Sequence, residues 1–149
     1  MLNFIPNRLA LIVLISACSI ILISMGLRQT FGLFFDAFEK GLGVTRTEFG
    51  LAIGIQMLFW GFFAPIFGLL ADKFGGNKAV FLGFLIFALG IFILYSGPNT
   101  GIYFQLALGV LVGTALGATA IGVPVSEVGK HFPNETRTIA TGVVTAAAS

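Results

Sequence analysis

No charged residue occurs from Leu9 to Leu27, from Phe49 to Ala71, or from Ala79 to Ser126. A helix needs about 20 apolar residues to cross roughly 30 Å of hydrocarbon, and there its backbone must satisfy its own hydrogen bonds. These intervals therefore dictate membrane-spanning helices. The last is long enough for two, divided by the turn-forming cluster Ser96-Gly-Pro-Asn-Thr-Gly101. Beyond Leu27 the chain stays apolar to Phe35 apart from Arg28, and Thr138–Ser149 begins another apolar run, about 18 Å if helical. The expectation is an all-α integral membrane bundle of four complete spans, about 9–35, 48–71, 78–96 and 102–125, with an incomplete fifth at 138–149. Short connections make successive spans antiparallel neighbours.

Composition excludes the alternatives. Only 9% of residues are charged and mean hydropathy is +1.03, whereas soluble domains carry about 25% charged residues. Such a chain cannot cover a water-facing surface. Its net charge of +2 is too small to suggest nucleic acid. Cys18 is the one cysteine, so neither an internal disulfide nor a cysteine metal site can be built. The run "LISAC" ending at Cys18 fits a lipoprotein cleavage site, but the chain stays apolar after it, so Cys18 is read as a small helix residue. No nucleophile–base pair, metal-ligand cluster or phosphate loop stands at a workable spacing. Neither an enzyme nor a cofactor is expected.

Basic residues orient the bundle, because cytoplasmic loops carry the excess of lysine and arginine. Arg8, Lys73, Lys78, Lys130 and Arg137 fall on one side. Lys40 and Arg46 fall on the other, offset by Asp36, Glu39 and Glu48. The N-terminus is expected in the cytoplasm, in a multi-pass protein of the inner (plasma) membrane.

Between the second and third spans stands "GLLADKFGGNK", Gly68 to Lys78. Gly68 thins a helix end, Asp72 sits at the membrane exit, Gly75-Gly76 permit a tight reversal, and Lys73 and Lys78 fix the turn in the cytoplasm. By itself this is a topogenic hairpin. It also closely resembles the loop motif of the major facilitator superfamily, with Gly68, Leu70, Ala71, Asp72, Lys73, Gly75 and Lys78 matching and Asn77 departing. "GLRQTFGLFF" (Gly26–Phe35) and "VGKHFPNETRTIATGVV" (Val128–Val144) are similar to the monocarboxylate and oxalate–formate branch, the second to its loop between the fourth and fifth helices. There the fourth span often carries an arginine ahead of a glycine series; here Gln105 holds that place. The resemblance implies that residues 1–149 are the N-terminal part of a transporter. The loop motif would then pack against the missing half and stabilise one state of the transport cycle.

Two further patterns concern the membrane interior. Gly109, Gly113 and Gly117, at spacing four on the fourth span, form a ridge that lets another helix approach closely. Pro65 and Pro124, near expected helix ends, bend or terminate helices. Arg28 and Gln56 lie eight residues inside Asp36 and Glu48, about 12 Å along their helices. Trp60 follows Gln56 one turn deeper, and Ser24 precedes Arg28. Two readings of Arg28 stay open on the residues alone: it snorkels to the outer headgroups, or it is a fixed cation in a polar cavity. Central placement of an arginine costs at least about 2.5–3.5 kcal/mol, and its forked donor suits a carboxylate. The family resemblance favours the second, with Arg28, Gln56 and Trp60 meeting a small organic anion. No carboxylate lies in mid-membrane, and His131 is expected in a cytoplasmic loop.

The expected function is secondary transport of a small organic anion, monocarboxylate-like, by alternating access, with this chain an N-terminal fragment that does not transport alone. Its partners would be the substrate, the lipid bilayer and the remainder of the transporter. The alternatives are an efflux transporter of the same fold with another substrate, and a small non-transporting assembly subunit.

Overall fold

A computed structural model describes residues 5–98 and 100–148; Asn99, within the expected turn, lies outside them. Among the described residues every regular element is a helix: α1 (Arg8–Thr30), α2 (Phe35–Leu42), α3 (Arg46–Phe74), α4 (Gly76–Ser96), α5 (Gly101–Phe104), a π-helical segment (Gln105–Leu111), α6 (Val112–Thr119), α7 (Gly122–His131) and α8 (Asn134–Ala146). Four stretches are long and apolar enough to cross a membrane: α1, α3, α4, and the run Gly101–His131. The last is the fourth span, broken at Ala120–Ile121.

Local chemistry sets the ends. The Ala10 N–H donates to Asn7 Oδ1 at 2.7 Å and starts α1. Thr45 and Glu48 form a reciprocal capping box at the start of α3, with the Thr45 N–H 2.9 Å from Glu48 Oε2. Gly75 holds φ +93°, which an L side chain rarely adopts, and α4 begins at the next residue.

Several boundaries differ from expectation. The first span ends at Thr30 rather than Phe35. The Leu33 and Phe34 N–H groups fold back on Thr30 O at 2.9 and 3.2 Å, and the helix stops there, with Phe31 buried and Leu33 and Phe34 exposed in the turn. The fourth span continues past 125 through α7, so His131 is the last residue of a helix and not part of a loop. The connection to α8 is Phe132–Pro133. α8 starts at Asn134, ahead of Thr138, because the Thr136 and Arg137 N–H groups find Pro133 O at 3.0 and 2.8 Å. Pro65 lies inside α3, not near its end, while Pro124 stands in the first turn of α7, where its missing N–H costs nothing.

The spans are not packed in chain order. The fourth span is the hub: 72% of its most apolar window is buried, against 11–33% for the other three. α3 and α4 both pack along its upper part, and α1 packs on α7 and α8. α1 and α3, consecutive spans, share no packed seam, which corrects the expectation of neighbours for that pair, whereas α3 and α4, and α4 and the fourth span, pack together as expected.

Glycines let the hub be surrounded. A Cβ at Gly109, Gly113 or Gly117 would stand 2.9 Å from Ile55, 2.7 Å from Gln56 O and 2.9 Å from the Phe63 backbone, all on α3. On the other flank, a Cβ at Gly83 would meet Ala118 at 2.6 Å, and one at Gly90 would meet Ala107 O at 3.1 Å. With no apolar-water contrast between helices in lipid, such close backbone approach supplies much of the association.

Candidate functional site

Arg28 is in the last turn of α1. Helical side chains lean toward the N-terminus of their own helix, and here that direction is back into the bundle. The guanidinium carbon stands 5.4 Å from the centroid of the Trp60 ring, and Nη2 is 3.6 Å from Met57 Sδ. Met57 and Trp60 lie nine and twelve residues along α3 from Glu48, about 14 and 18 Å. The charge therefore sits well inside the start of α3. The estimate of depth from an unbroken helix between Arg28 and Asp36 fails, since α1 stops at Thr30. It is the side chain's inward lean that carries the charge to depth. Arg28 Nε is buried and has no hydrogen-bond partner.

Gln56 is fully buried between α3 and the hub. Its Nε2 donates to Leu108 O at 3.2 Å, within the π-helical segment, where the i→i−4 ladder is displaced. Its Oε1 is buried without a partner. The structure thus brings Arg28 and Trp60 together and turns the Gln56 amide toward the hub; no hydrogen bond joins Arg28 to Gln56 among the described residues. Ser24, one turn deeper on α1, is buried and donates to Ile20 O at 2.7 Å. One orphaned donor, Arg28 Nε, remains on the guanidinium that meets an aromatic and a thioether, while the orphaned acceptor Gln56 Oε1 belongs to the amide turned toward the hub. Such an arrangement suits a small anion held by the guanidinium fork, with the Trp60 face steadying the cation.

At the opposite end of the bundle Asp72 Oδ1 accepts from Lys130 Nζ at 3.0 Å, and Lys130 also donates to Glu127 Oε1 at 2.9 Å. The motif aspartate on α3 is therefore paired inside this chain, with α7. Lys73 Nζ lies 5.2 Å from the Phe74 ring centroid, and Lys78 is exposed. A Cβ at Gly68 or Gly75 would meet nothing within 4 Å, so Gly68 leaves open space on α3.

A large concavity lies elsewhere. It is a groove of about 530 Å³ between α1, α4 and α7, walled by Ile12, Ile20, Val80 and Phe84, with Glu127 and His131 at its rim. No lysine or arginine lines it; its polar lining is Ser16, Asn77, Glu127 and His131. His131 Nδ1 is 2.8 Å from Glu127 O and engaged within its own helix. No group of three or more metal-ligating side chains occurs among the described residues.

Sequence reasoning missed the second glycine stripe. Gly76, Gly83, Gly90 and Gly97 recur every seven residues along α4 and its C-cap, and the first three face the hub, Gly76 against Glu127. That period is a legible signal for one face of a helix pair. The π-helical segment has no comparable signal.

Residues 13–149 match the sequence model of the Major Facilitator Superfamily. Over 90 residues the chain is 32% identical to the riboflavin transporter RibZ of Clostridioides difficile (strain 630), covering 56% of this chain and 18% of that protein. Over 82 residues it is 33% identical to YwtG of Bacillus subtilis (strain 168), named for metabolite transport, covering 54% of this chain and 16% of that protein. The matched stretch thus spans less than a fifth of either relative. No solved structure matches the chain at comparable significance.

Proposed function

We infer, from the premise that this chain belongs to the major facilitator superfamily, that it forms part of a secondary transporter for a small organic anion working by alternating access. The observation that carries this reading is the Arg28 guanidinium, held at depth against Trp60 with Nε unfilled. A cation in an apolar chain is costly there unless an anion meets it. Arg28 supplies the forked donor, Trp60 a flat face that steadies the guanidinium, and Gln56 Nε2 a second donor that becomes available when the amide leaves Leu108 O. A monocarboxylate is the simplest ligand of this kind. The N-terminus is cytoplasmic in this reading, with Lys73, Lys78 and Lys130 on the inner side. Asp72 and its motif bias one state of the cycle, Gly68 offers a smooth seat for a helix of the other half, and one six-helix half moves against the other.

Trp60 is the one tryptophan in the chain, so its fluorescence reports this site directly. Titration of the chain in nanodiscs with acetate, lactate, oxalate and riboflavin tests the assignment. A saturable change with a carboxylate, absent in Arg28→Ala, is the expected result. A response to riboflavin alone would move the reading to a planar neutral substrate; no saturable response to any of them would refute the site.

A further inference from the structure

α2 separates into two faces. Phe35, Phe38 and Leu42 lie on one side, and Asp36, Glu39 and Lys40 on the others. The apolar side meets rings at the ends of two spans. Phe35 and Phe49 are edge-to-face at 5.2 Å, Phe38 and Phe104 at 5.4 Å, and Phe49 and Phe104 are 6.1 Å apart. Arg46 lies over Phe35 at 5.6 Å. Phe104 is buried and Phe38 and Phe49 are partly so, all within the main core cluster.

This aromatic cluster lies toward the outer ends of the helices that hold the Arg28 site. Phe49 begins the same helix that carries Gln56 and Trp60 two and three turns further in, and Phe104 immediately precedes the segment containing Leu108. Arg28 itself is only a turn away from α2 through the reversal at Phe31–Phe34.

The helix is nevertheless lightly held. It forms no packed backbone seam with any span, and among the described residues no salt bridge ties it down. Gly32 stands in the turn before it, and Gly43 follows it at φ +68°. Ring contacts fasten it, and a glycine at each end frees it. A lightly fastened amphipathic segment at the outer end of the helices that hold a half-buried cation has the construction of a gate rather than of a scaffold element.

We propose that α2 is a hinged strap, closing the path from outer water to the Arg28–Trp60 pair through the Phe35 and Phe38 rings. This rests on the reading of Arg28 as the anion site, and the strap's movement would admit or retain that anion. Swinging about Gly32 and Gly43 exchanges ring contacts for the outer headgroup region, where aromatic side chains are at home.

The test uses the full chain in nanodiscs with Cys18→Ser. Ser24→Cys is a near-isosteric reporter, 1% exposed and one turn below Arg28. With the strap intact, an impermeant maleimide labels it slowly. Phe38→Ala raises the rate tenfold or more, while Lys40→Ala, on the polar face, leaves it unchanged. Val128→Cys, fully buried at the other end of the bundle, controls for general loosening and stays slow in Phe38→Ala. Equal Ser24→Cys rates with and without Phe38→Ala overturn the strap, as does a parallel rise at Val128→Cys. If Phe38→Ala speeds labelling but carboxylates leave Trp60 fluorescence unaltered, the strap stands and the anion reading of Arg28 falls.

Discussion

Asp72 on α3 and Lys130 on α7 form an ion pair of 3.0 Å across the end of the bundle opposite α2. Their side chains are 65% and 45% exposed, so water screens the pair and its share of stability is at most about 1 kcal/mol. Asp72→Asn should therefore leave insertion and thermal stability nearly unchanged. In the full-length transporter the same change should reduce transport severalfold, because the charge then serves switching between states. Transport at the native rate, with native expression, would reduce the motif to a hairpin.

Gly113 faces backbone atoms of Gln56, which cannot step aside as a side chain end can. Gly113→Ala should destabilise the bundle by about 1–3 kcal/mol, the range for overpacking. Gly122→Ala, where a Cβ meets nothing within 4 Å, is the matched control and should be neutral or mildly stabilising. Reversible unfolding in mixed micelles measures both; equal midpoints would mean that the hub relaxes away from α3.

Arg28→Lys keeps the charge but loses the planar fork. Carboxylate affinity, read from Trp60 fluorescence, should fall about tenfold, equivalent to about 1.4 kcal/mol. Arg28→Ala should remove the saturable response altogether while retaining membrane insertion. An unchanged dissociation constant in both variants would return Arg28 to a snorkelling role.

Lys40 and Asn77 are exposed at opposite ends of the bundle. In sealed right-side-out vesicles with Cys18→Ser, Lys40→Cys should react with an impermeant thiol reagent, and Asn77→Cys should react only after permeabilisation. The reverse pattern would invert the topology.

Helix existence was legible because hydrocarbon leaves the backbone of an apolar run no other partner. Helix ends were less so. The charges of Glu135 and Arg137 mark the edge of an uncharged run, yet the helical ladder begins before them at Asn134, since backbone bonding is indifferent to side-chain charge near the interface. At Phe31–Phe35 apolarity persisted while the helix stopped: Phe31 is buried in the core and Phe35 meets Phe49, tertiary partners that no local pattern announces. Arg28, Trp60 and Gln56 were picked out by type and spacing. Their actual engagement, Arg28 with Trp60 and Gln56 with Leu108 O, depends on which spans touch, and that order is set by glycine faces rather than by chain sequence.

The central place of the fourth span also fixes a schedule. A ribosome delivers this chain from its N-terminus, so α1, α3 and α4 enter the bilayer before the helix that each of them packs against exists. During that interval the first two spans have no seam between them to close, and the Gly83 and Gly90 face has nothing to receive it. The last of the four spans to be made is the first that assembly requires. Its arrival joins α1 to the α3–α4 pair around a common hub, which makes the interval before synthesis of residues 101–131 the time when this protein is open to misassembly and proteolysis.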